Sequence, residues 1–125
     1  MDHLLTMTVE YARHRIAFGR PIGSFQALKH QMADMSLLLE MSKACGEAAT
    51  EAVARGSGSA LASVAKAFVG DASTDIAQGC FQVHGGIGYT WEHDLHLFLR
   101  RAAANRVLYG APAWHRERIL SLAGL

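Results

Sequence analysis

The chain has 125 residues, 50% of them hydrophobic, with 12 Lys and Arg against 11 Asp and Glu and only two prolines. A domain of this size can bury a core without disulfide or metal staples. The net charge of +1 removes the electrostatic case for nucleic acid, and no apolar run approaches the roughly 20 residues that span a bilayer.

Spacing predicts a first helix from about Asp2 to Ala17, capped by Asp2, with Leu5, Val9, Ala12 and Ile16 on one apolar stripe. Gly19, Pro21 and Gly23 break that pattern and give a loop. Ser24 suits the N-cap of a long second helix reaching about Arg55. Its seam runs through Phe25, Leu28, Met32, Met35, Leu39, Ser42, Gly46, Ala49 and Val53 at alternating spacings of three and four. The seam begins bulky and ends small, so a neighbouring helix is expected to come closest near Gly46 and Ala49.

Residues 56–59 read as a short connection. A third helix then runs to about His84, with Leu61, Val64, Phe68, Ala72, Ile76 and Val83 on its inner side. Residues 85–90 end it. A fourth begins near Glu92 or Asp94, acids that suit a helix N-terminus, and continues through Leu95, Phe98, Leu99, Ala102 and Ala103 to about Tyr109. Gly110 and Pro112 break it, and Pro112 opens a last short helix to about Ala123. With no alternating strand pattern in competition, the expected fold is all-α, an antiparallel four-helix-type bundle with a short extra C-terminal helix.

Cys45 and Cys80 are too few and too far apart for a disulfide framework and read as buried thiols in a reducing compartment. Asp2, His3 and Glu10 are wrong for a signal peptide, so the expected location is cytoplasmic. Di-iron bundles need Glu-x-x-His pairs, and no glutamate here has a histidine three residues on. Glu92, His93, Asp94 and His96 read as caps and surface contacts, and no metal site is expected. Arg100, Arg101, Arg106, Arg116 and Arg118 read as a solvated face or a subunit contact.

Gly85-Gly86-x-Gly88 is not the dinucleotide fingerprint, because a helix rather than a strand precedes it. One left-handed residue suffices to end a helix. Three glycines in four residues leave two readings open, a sharp turn or a backbone that admits a ligand. Arg15 and Arg20 flank Gly19, where a planar guanidinium suits bidentate phosphate recognition and Phe18 offers a flat apolar face. Arginines at a helix end also complement its dipole.

Tyr11-Ala12-x-x-Arg15-x-x-Phe18-Gly19-x-Pro21-Ile22, followed by Phe25-Gln26 and Met32-Ala33-Asp34-Met35, resembles the opening of the C-terminal helical domain of acyl-CoA dehydrogenases. Gln82-x-x-Gly85-Gly86-x-Gly88-Tyr89, with Leu99-Arg100-x-Ala102 after it, resembles that family's second signature. The likeness spans residues 1–125, while the family's N-terminal helical and middle β domains have no counterpart. It implies that Arg15 and Phe18 lie along the pyrophosphate and adenine end of FAD and that Gln82, Gly85 and Gly86 belong to the same cofactor site, shared across a dimer interface.

Family members desaturate an acyl-CoA thioester, passing hydride from Cβ to the flavin while a carboxylate removes the α-proton. The family's usual glutamate position falls on Tyr109, so no catalytic base is assigned. A phenol of reference pKa ~10 is a poor base near neutrality beside a carboxylate near ~4.3. The expectation is a C-terminal domain that supplies part of an FAD site and the oligomer core, as a homo-oligomer or with an acyl-CoA dehydrogenase-like chain, and that is not catalytic alone. The alternative is a non-catalytic assembly or regulatory bundle derived from that fold.

Overall fold

The computed structural model describes residues 1–125. Its helices are α1 (Asp2–His14), α2 (Gln26–Ala54), α3 (Ser59–His84), α4 (Leu95–Val107) and α5 (Pro112–Leu122). α3 is the hub and packs against each of the other four. Leu4 lies beside Cys80 and Tyr11 beside His84, so α1 and α3 run in the same sense. α2 lies antiparallel to α3, with Gln31 donating to the Gly79 carbonyl at 3.4 Å. α4 is antiparallel to α3 too, and Lys66 Nζ donates to the Asn105 and Arg106 carbonyls at 2.8 and 3.2 Å. A four-helix bundle with a short fifth helix is therefore what forms, and no helix is long and apolar enough to cross a membrane.

The core joins Leu4 and Leu5 of α1, Met35 and Leu39 of α2, Ile76, Cys80 and Phe81 of α3, and Leu95 of α4. Each large apolar side chain buried there contributes roughly 1.5–3 kcal/mol, set against the chain entropy lost on folding. Thr8 and Ser42 enter the core because each hydroxyl donates to the carbonyl one turn back, at 2.8 and 2.7 Å.

The structure corrects several sequence-based expectations. α1 stops at His14, not Ala17, because two short strands, β1 (Ile16–Ala17) and β2 (Arg20–Pro21), pair antiparallel as a hairpin. Ile16 thereby leaves the apolar stripe and is 57% exposed, while Leu4 and Thr8 join it. Asp2 is not a cap but the first helical residue, its carboxylate 3.0 Å from Lys43 Nζ. Ser24 does not cap α2 either; its hydroxyl donates to the Pro21 carbonyl at 2.7 Å within a 3-10 turn, Ile22–Ser24.

The close approach expected at Gly46 is absent, since a Cβ there would meet nothing within 4 Å. The tight contact falls on Gly79, where a Cβ would lie 2.5 Å from Met35 Sδ. Val53, Leu61 and Val64 face outward, and the inner positions are taken by the smaller Ala52, Ser63 and Ala67. Small residues prevail on α3 because it is contacted from four sides, as at Gly70, where a Cβ would sit 3.1 Å from Pro112 Cγ. Arg106 and Arg116 are not on a free solvated face: both bind the Asp71 carboxylate, clamping α4 and α5 to α3, and Arg118 donates to Ser63 Oγ at 3.3 Å. The Arg116 hydrogen bond is the main cause that holds the Asp71 carboxyl below its usual pKa; burial opposes it, and Arg106 adds a further lowering.

Candidate functional site

The hairpin closes on the pair Ala17 and Arg20, leaving Phe18 and Gly19 as a two-residue loop with φ of +54° and +77°. Positive φ at both positions is a type I′ turn, whose twist matches that of the strands. Glycine adopts it freely, but a side chain in left-handed backbone costs about 1–2 kcal/mol. Phe18 bears that strain while 95% exposed, touching only the edge of Phe25 at 6.2 Å among aromatic rings. Arg20 lies over the Phe25 ring at 4.0 Å. Arg15 anchors the hairpin by its backbone: its N–H donates to the Tyr11 carbonyl and its carbonyl accepts from Ile22, both at 2.8 Å. Its exposed guanidinium takes part in none of the chain's ion pairs.

At the other segment, α3 gives way to a 3-10 turn, Gly85–Tyr89. The three glycines have three different reasons to be there. Gly85 takes φ +62°, ψ −140°, the departure that ends the helix. Gly88 is buried, and a Cβ would press on Leu95 Cδ1 at 3.3 Å and His84 Cβ at 3.4 Å. Gly86 has no positive φ and nothing within 4 Å of the place a Cβ would occupy, so nothing in the chain itself requires glycine there. Gln82 is exposed on the last turn of α3, one turn before Gly86.

These segments leave the bundle at adjoining helix ends. Tyr11, one turn before Arg15, stacks on the His84 ring with centroids 4.3 Å apart and planes 18° apart. His84 directly precedes Gly85. The fold thus brings the hairpin and the glycine turn to one end of the bundle, although no hydrogen bond joins Arg15 or Phe18 to Gln82, Gly85 or Gly86. Neither Tyr11 nor His84 is marked by composition or spacing as a link between the two; the link appears only when α1 and α3 are packed.

Tyr109 lies elsewhere, after α4. It has φ +61° and is 87% exposed, and its carbonyl accepts from His115 Nε2 at 3.1 Å. It borders an apolar cavity of about 410 Å³ between α1, α3 and α4, lined among others by Met1, Leu4, Val69, Phe98 and Leu108. No carboxylate lines that cavity. The Glu92–His96 cluster behaves as local turn chemistry: His96 Nδ1 bonds the His93 carbonyl at 2.9 Å, and the Leu95 N–H donates to His93 Nδ1 at 3.4 Å.

One end of the helical bundle thus presents an arginine without an ion pair, an exposed aromatic in left-handed backbone and a glycine with open space beside it. The chain belongs to the acyl-CoA dehydrogenase family, and residues 1–122 match the family's description "Acyl-CoA dehydrogenase, C-terminal domain". It is 40% identical over 115 residues to the acyl-CoA dehydrogenase IpdE2 of Mycolicibacterium smegmatis, covering 92% of this chain and 36% of that protein. Among solved structures it is similar to an FAD complex of PigA (TM-score 0.93, 27% identity, 99% of this chain and 33% of that one). It is also similar to a chain of the ChsE4–ChsE5 complex of Mycobacterium tuberculosis (TM-score 0.93, 29% identity, 98% and 34%). The chain therefore spans about a third of the length of these relatives.

Proposed function

We propose that this domain supplies one part of the FAD site, and part of the oligomer core, of a dehydrogenase that desaturates an acyl-CoA thioester between Cα and Cβ. Gly86 carries the reading. Like Gly46, it is demanded neither by its own backbone nor by a neighbour in the chain. Of the two it alone stands at the bundle end that carries Arg15 and Phe18, where the close approach of a ligand to the backbone explains it. Arg15 adds a guanidinium free of any carboxylate, suited to a pyrophosphate, and Phe18 a flat apolar face for the adenine end. Gln82 offers an amide on the same helix end, and the Gly85 backbone bends away to leave the approach clear.

When bound, FAD supplies the two-electron acceptor. This chain's residues bind and orient it by phosphate charge, ring contact and backbone approach. The proton-removing base comes from outside these residues, since Tyr109 stands where a carboxylate would be needed and is turned to solvent. Exposed apolar side chains such as Leu37 and Met41 on α2 and Trp114 and Leu120 on α5 fit contacts with a second copy or with a related chain that completes the active site. Two unbridged cysteines fit a reducing, cytoplasmic setting.

The absence of a carboxylate at Tyr109 favours one second reading, a non-catalytic subunit that assembles or regulates a complete dehydrogenase. One titration separates the two. The chain is mixed with FAD, alone and with a dehydrogenase chain that co-purifies with it, and passed over a sizing column with detection at the flavin bands. The expected result is flavin co-eluting with the assembly and lost in Arg15→Ala. Flavin content unchanged by Arg15→Ala would overturn the cofactor role and leave the assembly role.

A further inference from the structure

We infer that His84 is a positioning residue, which through its stack with Tyr11 sets the placement of the Arg15 hairpin relative to the Gly85 turn. The inference rests on the cofactor reading above for its consequence, but the coupling itself is a property of this chain. His84 is 4% exposed. Its Nδ1 lies 2.9 Å from the Cys80 carbonyl, and because a carbonyl only accepts, Nδ1 carries the proton in the neutral ring. Nε2 is then a bare acceptor, buried and without a partner. Burial, assisted by nearby His93, depresses the pKa of the imidazole from 6.5, more than the Cys80 bond raises it. His84 is accordingly a neutral ring of defined tautomer.

A purely space-filling residue would not need this arrangement, since an apolar side chain would fill the volume without stranding an acceptor. What the imidazole provides is orientation. The Nδ1–H bond to its own helix, one turn back, fixes the ring plane. Tyr11 lies nearly parallel on one side at 4.3 Å, and His93 stands edge-on at 4.9 Å and 67°. Tyr11 also points its hydroxyl at the His84 carbonyl, at 3.5 Å. One helical turn separates Tyr11 from Arg15, and no residue separates His84 from Gly85. The stack is therefore the short mechanical path between the two segments, and an asymmetric donor–ring pair defines it more sharply than aliphatic packing can.

The test uses the full chain and two readouts. Nitrogen–proton correlation spectra of the imidazoles report the tautomer, and amide exchange reports the hairpin and the glycine turn. The expected result is a His84 ring protonated on Nδ1 at neutral pH. Tyr11→Leu and His84→Asn, which each remove the stack, speed amide exchange in residues 15–22 and 85–90 about tenfold. The double variant is no worse than either alone, because both delete one contact. Tyr11→Phe, which keeps the ring, restores slow exchange. Leu5→Ala, an α1 core truncation away from the stack, does not produce the same local pattern.

FAD affinity, where the wild type binds it, falls about tenfold in Tyr11→Leu and recovers in Tyr11→Phe. A His84 ring protonated on Nε2, or additive effects of the two stack deletions, would overturn the inference. The exchange readout needs no flavin, so a chain that binds no FAD sinks the cofactor reading while exchange still decides the coupling.

Discussion

Gly46 and Gly79 offer a sharp test of where the two long helices meet. Both are interior helical glycines, and replacing either by alanine gains about 1 kcal/mol of helix propensity. At Gly46 the new methyl meets nothing within 4 Å, so the gain stands nearly whole. At Gly79 it would lie 2.5 Å from Met35 Sδ and 3.3 Å from Met35 Cγ, with Met35 only 4% exposed. Relief needs a shift of about an ångström in a packed core, and overpacking of that kind costs about 1–3 kcal/mol. The net expectation for Gly79→Ala is a loss of about 1 kcal/mol, which is about 4 °C in Tm for a chain this size. Met35→Ala by itself opens a cavity and costs about 2–5 kcal/mol. In that background the added methyl meets empty space, so Gly79→Ala becomes stabilising, with a coupling of about 2 kcal/mol between the sites. Thermal and urea unfolding of the wild type, the three single variants and the Met35→Ala/Gly79→Ala double variant, followed by circular dichroism, measures this. A Tm for Gly79→Ala that rises as far as that of Gly46→Ala would refute the packing argument.

Three further outcomes follow from contacts described above. Phe18→Asn suits left-handed backbone, so Tm rises by the equivalent of about 1 kcal/mol while flavin retention falls; flavin retention that holds would show that the exposed ring is not a ligand contact. Asp71→Asn leaves Arg106 and Arg116 facing each other without a counter-charge, and urea unfolding should show a loss of about 1 kcal/mol after allowance for solvent screening. The lowered Asp71 pKa adds stability that is present above the ordinary value of 3.8 and lost as pH falls through the folded value, so the two proteins should converge in strong acid. His84, its pKa depressed by burial, contributes stability that is intact above 6.5 and lost as pH falls toward its folded value. In that window the unfolded chain takes up a proton the folded chain refuses, giving a slope of up to about 1.4 kcal/mol per pH unit. A Tm that is flat between neutral pH and pH 5 would contradict it.

Helices α2, α3 and α5 were legible because their boundaries are written in local chemistry: Gly56 and Gly58 between the long pair, Gly85 at one end, Pro112 at the start of the last. The hairpin was less legible. Phe18-Gly19 carries glycine at the second position of a type I′ turn, a genuine signal, but the strands beside it are two residues each and fall below any alternating pattern. The inner face of α3 departs from its sequence pattern for a different reason. A helix contacted from four sides has no single stripe, so the periodicity at Leu61 and Val64 pointed away from the neighbours that α3 actually meets.

Sequence alone determined the helical class, the order of the elements, the two signature segments and the family they resemble, because each depends on residues close together in the chain. Tertiary structure decided which glycine is a packing contact, which is a backbone turn and which is open. It also decided that Arg15 has no carboxylate partner and that Tyr11 meets His84, 73 residues away. Those facts depend on the separations between helices, and separations of a few ångströms are set by the summed packing of the core, not by any local run of residues.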